Sequence, residues 1–167
     1  MAQAVERRTS VQNSHLFLME LTARTLGHLL APVTREQATT LRDGPGGWTV
    51  TEVLGHLRDF DGFFRGRVVL MLAEDYPALP AYDHEAIAIE RRYNEQDFTV
   101  VYDELRRSRA ETHALFASLT PEQWQRAGVH PESGHFTMTN AVMQVGIHES
   151  VHLEQILKIL TQRTQVG

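Results

Sequence analysis

A chain of 167 residues, 42% hydrophobic and 22% charged, is sized for one domain that buries a core without disulfides, and its composition excludes disordered and fibrous architectures. The absence of cysteine excludes disulfides, thiolate ligands and a cysteine nucleophile, and a net charge of -5 argues against nonspecific nucleic-acid binding. No run approaches the roughly 18 to 20 apolar residues of a membrane span, and MAQAVERRTS lacks the apolar core of a secretory signal, so a cytoplasmic protein is expected.

Four segments carry helical periodicity, separated by stretches rich in Gly, Pro and Asp. Leu16, Met19, Leu26 and Leu30 predict a first helix from about Val11 to Leu30, stopped by Pro32. The turn Asp43-Gly44-Pro45-Gly46-Gly47 follows. Thr49 with Glu52 reads as a capping box, so a second helix starts there and runs to about Ala73, with Val53, Leu57, Phe60 and Phe64 as its apolar stripe. From Asp75 to about Tyr93 lies a connection containing Pro77 and Pro80, suited to crossing the end of a bundle and too long for nearest-neighbour helices. Phe98, Val101, Leu105, Thr112, Leu115 and Phe116 predict a third helix from about Glu95 to Leu119, with Arg106, Arg107 and Arg109 facing water. After the turn-rich segment Gly128 to Gly134, Thr137 can cap a fourth helix reaching about Leu160. No segment shows convincing strand alternation, so the expected fold is all-α, a single four-helix-bundle domain over residues 1–167.

Nine histidines invite a search for metal-ligand spacing. His148 and His152 stand four residues apart, so their rings project from one helix face about 6 Å apart along the axis. Ala141, Val145 and Ile159 share that stripe, which turns the pair inward. Such a pair is either two core histidines bonded to backbone or carboxylate, or a chelate for one ion. The string His148-Glu149-Ser150-Val151-His152 matches the H-E-x-x-H helix of zinc proteases, where the Glu is general base. A metzincin continuation is missing, because Gln155 and Lys158 stand where glycine and a third histidine belong. Glu154, the sole acidic residue downstream, is too close to serve as a distant third ligand, so the protease reading is poor and the ligand must come from upstream. His56, at mid-helix between Val53 and Phe60, is the best candidate. Three neutral imidazoles leave coordination positions open, and zinc, nickel or ferrous iron would all accept them. His130 and His135 bracket the loop entering the fourth helix and can line a pocket mouth. His15, His28, His84 and His113 lack spaced partners. Asp59, close to one turn after His56, can orient an imidazole or bind substrate. Trp48 and Trp124 read as core anchors, and Arg91-Arg92 as a solvated face.

Gly47-Trp48-Thr49-Val50-Thr51-Glu52-Val53-Leu54-Gly55-His56-Leu57, Gly134 with Thr137, and His148-x-x-x-His152 followed by Leu153, Gln155 and Ile156 together resemble the DinB-like (YfiT-like) superfamily of bacterial metal-binding four-helix bundles. The resemblance spans nearly the whole chain. It implies up-down-down-up topology with a crossover between the second and third helices, often in a homodimer. It also implies one divalent metal ion, zinc or nickel, on His56, His148 and His152. Glu149 stands where the family often has Asp. Family activities include S-transfer from low-molecular-weight thiols, which makes a metal-dependent thiol S-transferase the leading expectation. The alternatives are a metal-dependent hydrolase activating water, with Glu149 or Asp59 moving the proton, and a noncatalytic metal-binding stress-response protein. A structural bundle without metal is the fourth possibility. A small-molecule substrate is expected, entering a pocket between the second and fourth helices and the loop His130 to His135, with no nucleic acid and no membrane.

Overall fold

The computed structural model describes residues 8–161. Four long helices form the bundle: α1 (Ser10–Leu30), α3 (Val50–Ala73), α5 (Phe98–Ser118) and α7 (Met138–Thr161). Short helices α2 (Arg35–Thr40), α4 (His84–Glu90) and α6 (Pro121–Trp124) decorate the connections. Thr9, Thr34, Thr49 and Thr120 each close a capping box, which satisfies the orphan amides of the helices they start. The third long helix begins later than expected, because Asp97 caps Thr99 and Val100 while Tyr93–Glu95 form a separate 3₁₀ turn.

Side-chain pairs give the helix directions. Arg58 bonds Glu104 and Arg65 bonds Thr112, so α3 and α5 run parallel. His56 and Phe64 of α3 meet His152 and His148 in reverse order, so α7 runs antiparallel to α3. Gln12 bonds Thr139 and Thr22 bonds Glu149, so α1 is parallel to α7. The order is up-down-down-up. One expectation needs correction here: α3 and α5 are packed neighbours despite the long connection. Parallel neighbours require the chain to travel back the length of the bundle, so connection length reports direction rather than separation.

One short hairpin accompanies the helices and leaves the all-α class intact. β1 (Ala127–His130) and β2 (Gly134–Thr137) pair antiparallel, with Gly128 opposite Phe136. At four residues each, the strands are too short for alternation to register in sequence, and Gly134 closes their turn with a φ of 71°. Leu79 donates to the Val129 carbonyl and Val129 to the Pro77 carbonyl, both at 2.8 Å, so the crossover is stitched to the hairpin. That junction sets the segment from Ala81 to Glu85 over the bundle.

Two apolar clusters fill the interior. One gathers Leu16, Met19, Phe64, Val68 and Val145; the other gathers Leu26, Leu54, Leu57, Leu105 and Ile156. Buried polar groups include Asp61, Arg109, Thr112 and Glu149. Arg109 was expected in water and is only 5% exposed. Its position continues the inward series Leu105, Thr112 and Phe116, and helical phase decides burial here despite the charge. Among the described residues, no helix is long and apolar enough to cross a membrane.

Candidate metal centre

The capping box at Thr49 fixes where α3 starts. The Thr49 amide donates to Glu52 Oε2 at 2.7 Å, and Arg42 pairs with the same oxygen at 3.1 Å. His56 follows two turns later and is 4% exposed. Just before it, a Cβ on Gly55 would stand 2.6 Å from the Tyr93 ring, so only glycine allows this close approach. The His56 ring meets the edge of Trp48, with centroids 5.2 Å apart, and lies 4.3 Å from Phe60.

His148 and His152 come from the facing side of α7, with ring centroids 4.6 Å apart. His56 Nε2 and His148 Nε2 are 3.0 Å apart, and one ligand nitrogen from each of the three rings lies within 4.8 Å of the others. Nitrogens bound tetrahedrally at about 2.1 Å from zinc stand about 3.4 Å apart, so the cluster encloses a space of ionic size. Burial pushes the His56 pKa down to about 2, reinforced by His152, His148 and His84. Burial, then His152, Arg109 and His84, push His148 down to about 3, and burial also lowers His152. All three rings are therefore neutral at physiological pH, the form a metal needs.

One ring is already aimed. Gln155 Nε2 donates to Asp43 Oδ2 at 2.7 Å, which turns its Oε1 toward His152 Nδ1, also at 2.7 Å. His152 Nδ1 therefore carries the proton, and its Nε2 presents a lone pair to the cluster. His56 Nδ1 is buried without a partner among the described residues. These residues fit one divalent ion, held by nitrogen donors alone.

A cavity of about 570 Å³ opens from the cluster. Trp48, Phe60, Phe64 and Tyr82 form apolar walls, while His84, Glu85, His130 and Glu132 stand around them. A family model described as the DinB superfamily matches residues 18–156. The chain belongs to the DinB superfamily. It is 30% identical over 122 residues to YfiT of Bacillus subtilis, covering 72% of this chain and 67% of YfiT. It is 26% identical over 155 residues to a protein of Oceanobacillus iheyensis, covering 91% and 88% of the two chains. Both relatives are named, provisionally, as metal-dependent hydrolases. The solved structure of Bacillus subtilis YfiT, described as a four-helix bundle of unusual topology, superposes with a TM-score of 0.83 at 24% identity, covering 98% of this chain and 94% of that one. The sequence matches show the superfamily, and the superposition shows the four-helix-bundle fold.

This DinB chain brings His56, His148 and His152 together, and it does not bring Glu149 or Asp59 to them. Glu149 is 1% exposed and turned into the bundle, accepting from Thr22 Oγ1 at 2.6 Å with Arg109 Nε at 3.5 Å. One residue after His148, it lies about 100° around the helix, so H-E-x-x-H does not act here as a unit. Asp59 is taken by Tyr93 at 2.6 Å, Arg91 at 2.8 Å and Arg58 at 3.0 Å. The carboxylates one residue after His148 and three after His56 are engaged by neighbouring hydroxyl and guanidinium groups. Arg91 lies on a solvated face as expected while its head group pairs with Asp59, and Trp48 packs against the core as expected while also walling the pocket.

His130 reaches the pocket, whereas His135 faces away and bonds the Tyr76 hydroxyl at 3.0 Å. Sequence reasoning missed His84, Tyr82 and Arg67. His84 sits 6.1 Å from the His56 ring although 28 positions separate them, and no helical spacing links the two. The crossover stitched to the hairpin carries it there.

Proposed function

We propose that the protein is a metal-dependent hydrolase acting on a small-molecule substrate, with His56, His148 and His152 holding one zinc or nickel ion. The convergence of three neutral imidazoles beside an open, apolar-walled pocket carries this reading. When bound, the ion would act as a Lewis acid that polarises a substrate oxygen and brings the pKa of coordinated water to about 7. The chain's own part is positioning. Asp43 and Gln155 hold the His152 ring, and Trp48 and Phe60 hold His56. Phe60, Phe64 and Tyr82 offer apolar surface to a bound substrate, which would displace water from around it. With Glu149 and Asp59 engaged elsewhere, this reading gives proton transfer to a nitrogen of His84, whose ring lies 6.1 Å from that of His56 and lines the same pocket.

No feature of the pocket favours a thiol over water, and the names of the relatives point to hydrolysis. A noncatalytic site would need a fourth protein ligand, and the group that can hold an ion contains three residues among those described. The test is a screen of zinc- and nickel-loaded protein, purified without an affinity tag, against esters, amides and phosphoesters. Turnover that disappears in His148→Ala supports the hydrolase. Absence of hydrolysis, with small thiols shifting the visible spectrum of the cobalt-substituted protein, would replace it with S-transfer.

A further inference from the structure

Arg67 is a buried cation that makes no ion pair among the described residues, with Glu132 acting on it only at longer range. It is 6% exposed and lines the same cavity as the three histidines. Its Nε and Nη2 both donate to the Pro80 carbonyl, at 3.1 and 2.7 Å, and Nη1 approaches Gln144 Oε1 at 3.4 Å. A guanidinium has five N–H groups, so two are left without an acceptor among the described residues. No carboxylate pairs with it among those residues, whereas Arg58, Arg65 and Arg109 each have an acidic partner. Its charge instead lies over the Tyr82 ring at 5.3 Å and the Phe64 ring at 5.9 Å. Buried charges are ordinarily paired, and pairing left open inside a pocket is available to a ligand.

Two further donors surround it. The Glu132 amide donates to His130 Nδ1 at 3.3 Å, which puts the ring proton on Nε2. That Nε2 is buried with no partner among the described residues, in a residue 7% exposed. Burial and the neighbouring Arg67 charge hold this ring below its usual pKa, so it stays neutral and keeps its single N–H. Gln144, whose Oε1 faces Arg67, has its amide N–H groups to offer. It stands four residues before His148 on α7, which is one turn, about 6 Å, from a candidate metal ligand.

We propose that Arg67, His130 and Gln144 form an oxyanion-binding subsite of the histidine pocket, so that the substrate carries a carboxylate or phosphate about one helical turn from the ion. This rests on the hydrolase reading for its catalytic meaning, but the subsite itself is made by residues that hold no metal. Glu132, also in the pocket lining, contributes the opposing charge and limits affinity for anions.

The test is titration of chelator-treated protein with inorganic phosphate and with acetate, followed by NMR of the His130 ring, and repeated on zinc-loaded protein. Saturable shifts are expected in the wild type. Arg67→Gln weakens binding about 10- to 100-fold, as loss of a charged hydrogen bond should. Glu132→Gln, at an exposed hairpin turn, tightens it, and this variant decides the matter if Arg67→Gln fails to fold. Tighter phosphate binding identifies a phosphoester substrate and tighter acetate binding a carboxylate. No shift in the wild type, equal affinity in Arg67→Gln, or unchanged affinity in Glu132→Gln overturns the subsite. Anion binding by metal-free protein that takes up no metal would overturn the hydrolase reading and leave the subsite standing.

Discussion

His148 and Glu149 are adjacent on one helix and belong to two different regions. The histidine faces a pocket with two other rings, all kept neutral chiefly by burial. The glutamate faces a closed layer in which Arg109 sits between Asp61, at 3.1 Å, and Glu149, at 3.5 Å. Ser108 and Thr112 complete that layer by donating to Asp61 Oδ2 at 2.6 and 2.8 Å. The first region leaves donor atoms aimed at a space that an ion can fill, while the second closes its charges on one another. A motif defined by residue types does not distinguish the two; helical phase does.

The comparison breaks most visibly under ligand removal. His148→Ala should lower zinc affinity by more than the roughly 100-fold typical of a supporting residue. Its metal-free form should unfold at nearly the wild-type denaturant concentration. Arg109→Ala should do the reverse, costing about 3 to 5 kcal/mol of stability by stranding two buried carboxylates while the metal stoichiometry is retained. Calorimetric zinc titration paired with urea unfolding checks both. Equal stability losses in the two variants would merge the regions into one.

Gln155→Leu is a finer probe, because it frees the His152 ring without removing a ligand. Zinc affinity should fall about 10- to 100-fold, with stability nearly unchanged. The two regions should also differ in the sign of their pH response. For His56 the folded pKa is about 2 against an ordinary 6.5. Its contribution is therefore complete above pH 6.5, and it is lost as the pH falls toward the folded value while the unfolded chain takes up the proton. For Glu149, burial raises the folded pKa above 4.5, so its contribution is complete below 4.5 and declines as the pH rises through the folded value. Metal-free His56→Phe should lose less stability than wild type between pH 7.5 and 5, and Glu149→Gln should lose as much or more.

Much of this was legible in sequence where the signal is periodic. The four long helices, the Thr49 cap and the spacing of His148 and His152 follow from local chemistry and a 3.6-residue repeat. Charge obscured phase at Arg109, and a familiar motif drew attention to Glu149, which α7 turns toward Thr22 and Arg109. The pocket's other half was illegible because a long connection and a four-residue hairpin bring Tyr82, His84 and His130 to it, and their positions depend on the Leu79–Val129 and Val129–Pro77 backbone bonds rather than on spacing.

The central claim is that three imidazoles hold one ion and that Glu149 takes no part. Cobalt(II) titration of chelator-treated, tag-free protein, followed in the visible region, tests it most directly. The account predicts an endpoint at one equivalent for the wild type and for Glu149→Gln, and no such endpoint for His56→Ala. An endpoint retained in His56→Ala, or lost in folded Glu149→Gln, would contradict it.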